Sequence, residues 1–431
     1  MTHSKIEYAV LKYGNHSISL PITFPHICKI LDCTYPKAII KTDEYIHKVI
    51  DSPIDSEPFD NIFKKGNKVV IIISDITRYA SSETYLPVII DRLNKTGIDD
   101  NHITILCALG IHRKQTADEH KKLVGSTIYK RITIIDHDAF NQNNMTWLGQ
   151  TGRGTPIEVN HLITEADRII LTGSIRFHYF AGFGGGRKSI LPGVSSFTSC
   201  VANHLLVLNA NKKGGRHPLA RTGLLRGNPV HEDMAEACDH LQSLFLFNTI
   251  LSPKRELLKA VAGNVHTAFD QGCRFLSQHF SIPVSKQADL VIVSCGGYPY
   301  DINFIQAHKT MDMAGRVLKK GGVMILLCEC SQGFGNPRFL EWFHHDDAEC
   351  FEMALRHHYE INGQTAYATF LKARQHHIIL ISALEEEDVK RVSLYPAATI
   401  DEALERAYKI LGPEPLTYII PDGSSVFTYL V

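Results

Sequence analysis

No run of 18 consecutive apolar residues occurs in this 431-residue chain, so no hydrophobic transmembrane helix is expected. Net charge is missing too. The 45 basic and 45 acidic side chains balance, so the composition draws the chain neither to nucleic acid nor to an anionic membrane. The start, MTHSKIEYAVLKYG, lacks a charged n-region leading into an apolar h-region, and no signal peptide is expected. The ten cysteines are scattered and none forms CxxC; most sit in apolar runs, as Cys107 does in ITILCALG. That usage fits a reducing cytoplasm, and Cys328 and Cys330 read as core packing rather than a metal pair. The chain has no internal repeat, no low-complexity tract, no Walker GxxxxGK[ST] loop and no GxGxxG directly after a strand.

What the chain has is alternation of strand-like and helix-like segments. EYAVLKYGNHSISLPI alternates about Gly14-Asn15 and predicts a hairpin. VVIIIS (69–74), ITILCAL (103–109), ITIID (132–136) and RIILTG (168–173) are short, β-branched apolar runs of the kind found in buried parallel strands. Between them lie helical patterns: 82–95 with a capping serine and a stop at Gly97, another opened by the capping box Thr116-Ala-Asp-Glu119, and a third opened by Asn228-Pro229. A second run begins with the strand ADLVIVSCGG (288–297), a helix over 302–319, and the strands GGVMILLC (321–328) and HHIILISAL (376–384). The expected fold is α/β: two α/β domains with mainly parallel sheets, residues 1–280 and 281–431, and an active site in the cleft between them. The extreme C-terminus is expected to pack back on the first domain.

In open α/β sheets, ligands gather at the carboxyl ends of strands. Those ends carry Asp75, Thr77 and Arg78; His112 and Arg113; Ser174 and His178, then Arg187 and Lys188; and Gly296-Gly-Tyr-Pro-Tyr-Asp301, opening a helix with Gln306 and Lys309 on one face. The densest stretch is 173–204, GSIRFHYFAGFGGGRKSILPGVSSFTSCVANH, which orders strand, glycine-rich loop and helix, an arrangement suited to an anion. His204 lies in a helix starting at Ser195 or Ser196 and reads either as a core histidine or as a metal ligand. Histidine exchanges protons near neutral pH, arginine binds carboxylates bidentately, and lysine neutralises a phosphate or attaches a cofactor.

SDITR (74–78), ALG-x-HR (108–113), HYFAGF-x-GGRK-x-ILPG (178–193) followed by ANH (202–204), and GGYP-x-D (296–301) with Q-A-x-K (306–309) resemble the nickel-dependent lactate racemase family, in order and over nearly the whole chain. The resemblance implies a racemase or epimerase of 2-hydroxy acids that carries a nickel-pincer nucleotide, a pyridinium mononucleotide holding nickel through two sulfurs and a ring carbon. It implies that the substrate hydroxyl loses its proton to a histidine while the C2 hydride passes reversibly to the cofactor. His204 would be the nickel ligand, and imidazole suits nickel. His112 and His178 would be the paired acid/bases, Lys188 the cofactor-tethering lysine, and Ser74 and Asp75 nucleotide contacts. Arg78, Gln306 and Lys309 would contact the substrate. Expected partners are therefore a small 2-hydroxy acid and the proteins that make and load the cofactor, with no nucleic acid and no membrane.

Two positions depart from the family pattern. Ile305 stands where a tyrosine usually precedes Q-A-x-K, and Tyr79 stands where proline usually follows SDITR. Both point to a reshaped substrate pocket. Two other classes remain open on the residues alone. One is a hydrolase or lyase in which His112, His178 and His204 bind Zn²⁺ or Mn²⁺, and the other is a non-catalytic nucleotide-binding protein.

Overall fold

The computed structural model describes residues 8–22, 28–210 and 214–431, so Glu7, at the start of the expected hairpin, lies outside them. The chain divides into two compact units, Tyr35–Val207 with Pro218–Gln278, and Met1–Thr34 with Leu208–His217 and His279–Val431. The expected division at 280 differs from this at both its early segments. Strand Cys28–Ile30 pairs in parallel with Thr417–Ile420, which draws the start of the chain to its end. The last strand, Phe427–Leu430, pairs in parallel with Ser281–Val284. No helix among the described residues is long and apolar enough to cross a membrane.

The Tyr35–Val207 unit is built on a six-stranded sheet in the order Leu257–Gly263, Leu244–Leu251, Arg168–Ser174, Val69–Ser74, Ile103–Ala108, Thr133–Asp136. Only the Leu257–Gly263 edge runs antiparallel. The central strands are buried on both faces, which is why their sequences are unbroken apolar runs rather than alternating ones. Their cores merge with helix Ser82–Lys95 through Tyr85, Leu86, Ile89 and Leu93. Sequence reading assigned no strands to Leu244–Leu251 and Leu257–Gly263, because a short buried apolar run has no periodicity that distinguishes strand from helix.

The capping signals have mixed outcomes. Thr116 and Glu119 form the reciprocal box at the start of Ala117–Arg131, and Asn228 caps Pro229–Asp239 with Pro229 in the first turn. The capping serine expected for Ser82–Lys95 is not one. The preceding Ser81 makes no capping bond, and the Ser82 hydroxyl donates to Leu123 O across the domain interior (2.6 Å).

The second unit has its own six-stranded, wholly parallel sheet: Tyr395–Ala397, His377–Ile381, Leu318–Leu327, Ala288–Ser294, Thr417–Ile420, Cys28–Ile30. The hairpin Tyr8–Tyr13 and His16–Pro21 packs against it, with Leu11 and Leu20 fully buried and Gly14 taking the positive φ that its turn requires. The helix expected over 302–319 is shorter, Phe304–Ala314. Gly315 ends it, and Leu318 already belongs to the next strand, opposite Ala288.

Candidate active site

The first sheet reverses its winding between Val69–Ser74 and Arg168–Ser174. From Val69–Ser74 the chain steps outward to Ile103–Ala108 and Thr133–Asp136, and Arg168–Ser174 then lands on the opposite side. The carboxyl ends at such a switch point leave a crevice for ligands. Ser74 ends the first of these strands and lies beside Gly173, whose hypothetical Cβ would stand 3.4 Å from Ser74 Oγ. Asp75, buried at 2 % exposure, follows it and caps the 3-10 turn Ile76–Arg78, accepting from Thr77 N (2.6 Å).

The other Asp75 oxygen meets His112 Nδ1 at 2.7 Å, so residues 37 apart in sequence form one carboxylate–imidazole pair. Burial alone would raise the Asp75 pKa, but the hydrogen bond from His112, its charge, and Arg78 together hold it down at about 2. Asp75 is therefore an anion at neutral pH. It fixes the His112 proton on Nδ1 and leaves Nε2 as an acceptor.

After Arg168–Ser174 the chain makes a small hairpin, Phe177–His178 against Gly182–Phe183, then the 3-10 turn Gly186–Ser189. Ala181 N–H donates to His178 Nδ1 (3.3 Å). Arg187 is the clamp of this loop. It is almost fully buried, donates to the carbonyls of Ala181 (2.9 Å) and Phe183 (3.0 Å), and lies over the Phe269 ring. Gly186, with φ +56°, admits no side chain, since a Cβ there would come within 2.6 Å of that ring. The expected strand–loop–helix anion cradle is not what forms. The amides of Gly184, Gly186 and Lys188 donate to Arg176 O, Asn248 Oδ1 and Gly185 O, and the following element is a 3-10 turn rather than a helix.

The helix that carries His204, Phe197–Leu205, is capped by Ser196, whose hydroxyl accepts from Ser199 N. His204 Nδ1 donates to Cys200 O one turn back (2.8 Å), which leaves Nε2 as a lone-pair donor. Burial, and then the nearby Lys188 charge, push the His204 pKa down to about 3, so the ring is neutral. Lys188 keeps a partial opening to solvent but is crowded by protein atoms. That desolvation, with Arg187 and Arg78 close by, lowers its pKa to about 7. The Phe180 ring gathers these groups. Its centroid lies 4.5 Å from His178 and 5.2 Å from His204, and Lys188 Nζ stands 5.6 Å from it. Sequence reading passed over Phe180, because an aromatic residue inside a motif gives no sign of which neighbours it touches.

A neutral imidazole with a free Nε2 and an oriented Nδ1–H is the donor that nickel or a similar borderline metal takes. A lysine with a depressed pKa is the nucleophile a covalent tether needs. These residues fit such a cofactor. His112, His178 and His204 do not fit a three-histidine metal site. Among the described residues, the one group of three such donors lying within 4.8 Å of each other is Cys107, His120 and Asp136. Gln306 and Lys309 belong to the other unit, on one face of helix Phe304–Ala314 beside Ile305. Lys309 Nζ donates to Gln306 Oε1 (2.6 Å), and all three side chains are half-buried.

Comparison with known proteins gives a consistent picture. Residues 13–215 match the family model described as lactate racemase N-terminal domain, and residues 284–428 match lactate racemase C-terminal domain. The chain is 33% identical over 396 residues to a lactate racemase of Thermoanaerobacterium thermosaccharolyticum, covering 90% of this chain and 91% of that protein. It is 32% identical over 397 residues to one of Lactiplantibacillus plantarum, with the same coverage of each. The structure of the T. thermosaccharolyticum lactate racemase apoprotein superposes with a TM-score of 0.88 at 31% identity, over 98% of this chain and 100% of that one. A Thermotoga maritima protein of 19% identity shares the fold, with a TM-score of 0.66 over 93% of this chain and 100% of its own.

Proposed function

The chain belongs to the lactate racemase family, whose members are isomerases, and from that premise we propose that it inverts C2 of a 2-hydroxycarboxylate at the strand ends around Asp75, His112, His178, Lys188 and His204. The carrying observation is the Asp75–His112 bond of 2.7 Å, which leaves His112 Nε2 ready to take a proton. His204 Nε2 would hold nickel of a pincer nucleotide, with Lys188 as its tether and Ser74 and Asp75 against the nucleotide. When bound, that group supplies a reversible acceptor for the C2 hydride.

The chain's own residues do the rest. Arg78 binds the substrate carboxylate through its fork of N–H donors, and Gln306 and Lys309 add contacts. His112 takes the hydroxyl proton at Nε2, and the buried Asp75 carboxylate stabilises the imidazolium that results. Its proton returns when O2 is restored on one face. His178 serves the hydroxyl on the other face. Lactate is the acid for which the relatives are named. Ile305 favours a bulkier or differently polar side chain here. The nine free cysteines among the described residues, seven of them buried, support a reducing cytoplasm.

The test is a chiral assay of a panel of 2-hydroxy acids with cofactor-loaded protein in deuterated water. Racemisation with the C2 hydrogen retained is the expected result. Incorporation of solvent deuterium at C2 would mean proton abstraction and overturn the hydride route. No racemisation of any member would overturn the assignment.

A further inference from the structure

Asp75 and Arg78 stand on one strand-end turn and His112 on the next, so the alignment of the proposed base depends on two loops keeping their spacing. Beyond the Asp75–His112 bond itself, a second hydrogen bond joins those loops. Ile76 N–H donates to Gln115 Oε1 at 3.0 Å. Gln115 is itself anchored to a third strand end. Its backbone N–H donates to Asp136 Oδ2 (2.8 Å), and Asp136 Oδ1 lies 2.8 Å from His120 Nε2. Its side-chain amide reaches back to Arg113 O (3.4 Å). Both carboxylate oxygens of Asp136 thus serve nitrogens, and Gln115 ties the ends of Val69–Ser74, Ile103–Ala108 and Thr133–Asp136 together.

His112 needs such support. Its side chain is 43% exposed, and Asp75 is its recorded ring partner. Loops at strand ends move more than the strands they join, and a carboxylate displaced by about 1 Å no longer fixes the ring proton. We infer that Gln115 is a positioning residue for the racemisation: by holding the Ile76 amide it keeps Asp75 in line with His112 Nδ1 and so sets the His112 tautomer. The inference rests on the proposed role of His112 as the acid/base.

The bond can be cut from either end. Gln115→Met removes the acceptor at similar size. Ile76→Pro removes the donor at the first position of the turn, where proline is tolerated, and the preceding Asp75 (φ −70°, ψ 171°) already has the extended geometry that proline asks of its predecessor. In cofactor-loaded protein each variant should lower kcat about 10- to 100-fold with KM changed less than about threefold. The double variant should be no slower than the slower single one, because both remove the same bond. In cofactor-free protein, ¹⁵N spectra of the His112 ring should show Nδ1–H in the parent and move toward Nε2–H in both variants. Unchanged His112 nitrogens, or losses that multiply in the double variant, would overturn the inference. If Gln115→Met does not fold, Ile76→Pro decides by the same spectrum. The premise is judged separately: a His112→Ala variant of near-normal rate would sink the base assignment, while the spectra would still report whether Gln115 sets the tautomer.

Discussion

His112 and His178 each present Nδ1 to a fixed partner, but in opposite hydrogen-bonding roles. His112 Nδ1 faces the Asp75 carboxylate at 2.7 Å and must donate, which leaves Nε2 accepting. His178 Nδ1 faces the Ala181 amide at 3.3 Å and accepts, which places its ring proton on Nε2. One histidine therefore offers an acceptor and the other a donor, the pairing that moving one proton across a substrate demands.

Removing either ring should stop the reaction. His112→Ala and His178→Ala are each expected to lower kcat/KM by about 10²–10⁴-fold, the usual range for a general acid or base. Enantiomers have equal free energy, so the loss must be the same in both directions. Both variants should keep their nickel. Rates near the parent's in either variant, measured by chiral chromatography, would refute the two-histidine scheme.

His204 answers to a different measurement. Protein made with its cofactor should contain about one nickel per chain, and His204→Ala should lose most of it, since the variant lacks the Nε2 donor that the Nδ1–Cys200 O bond orients. Full nickel content in the variant by elemental analysis would move the ligand elsewhere.

Lys188 should behave as an amine with a pKa of about 7. Acylation of Lys188 in the cofactor-free protein should rise through pH 7 and level off above it. In the urea-unfolded chain the rise should move toward the usual 10.5. Between those values the unfolded chain holds a proton that the folded one lacks, so this group makes the fold more stable as pH increases through that window. Lys188→Ala should also abolish any covalent adduct seen in the intact mass. A labelling midpoint near 10 in the folded protein would contradict the burial of this amine beside Arg187 and Arg78.

Substrate choice should turn on Ile305. An isoleucine discriminates by shape, worth about 1–3 kcal/mol per methylene-sized difference, whereas a tyrosine hydroxyl discriminates by hydrogen bonding. A 2-hydroxy acid larger or more polar than lactate is expected to give the higher kcat/KM, and Ile305→Tyr should shift preference toward lactate. Comparison of lactate, malate, 2-hydroxybutyrate, phenyllactate and a sugar acid decides it. A tenfold advantage for lactate in the parent would sink this prediction and leave the family assignment standing.

By itself, the sequence determined the parallel strands, the caps at Thr116 and Asn228, and the residues that end up at strand ends, because burial on both faces and capping are local demands written in consecutive residues. It also carried the motif residues that tie the chain to its family. Tertiary structure decided what those residues are chemically. The helix expected to reach Lys319 stops at Ala314, because Leu318 is claimed by the strand beside Ala288. The glycine-loop amides turn inward to Asn248 and Arg176, partners that no spacing rule announces. The proton on His112 is set by Asp75, the neutral ring of His204 by burial and the Lys188 charge, and the depressed pKa of Lys188 by burial with Arg187 and Arg78 beside it. Their electrostatic effect depends on distance and desolvation in space, and both appear only once remote segments of the chain are folded against each other.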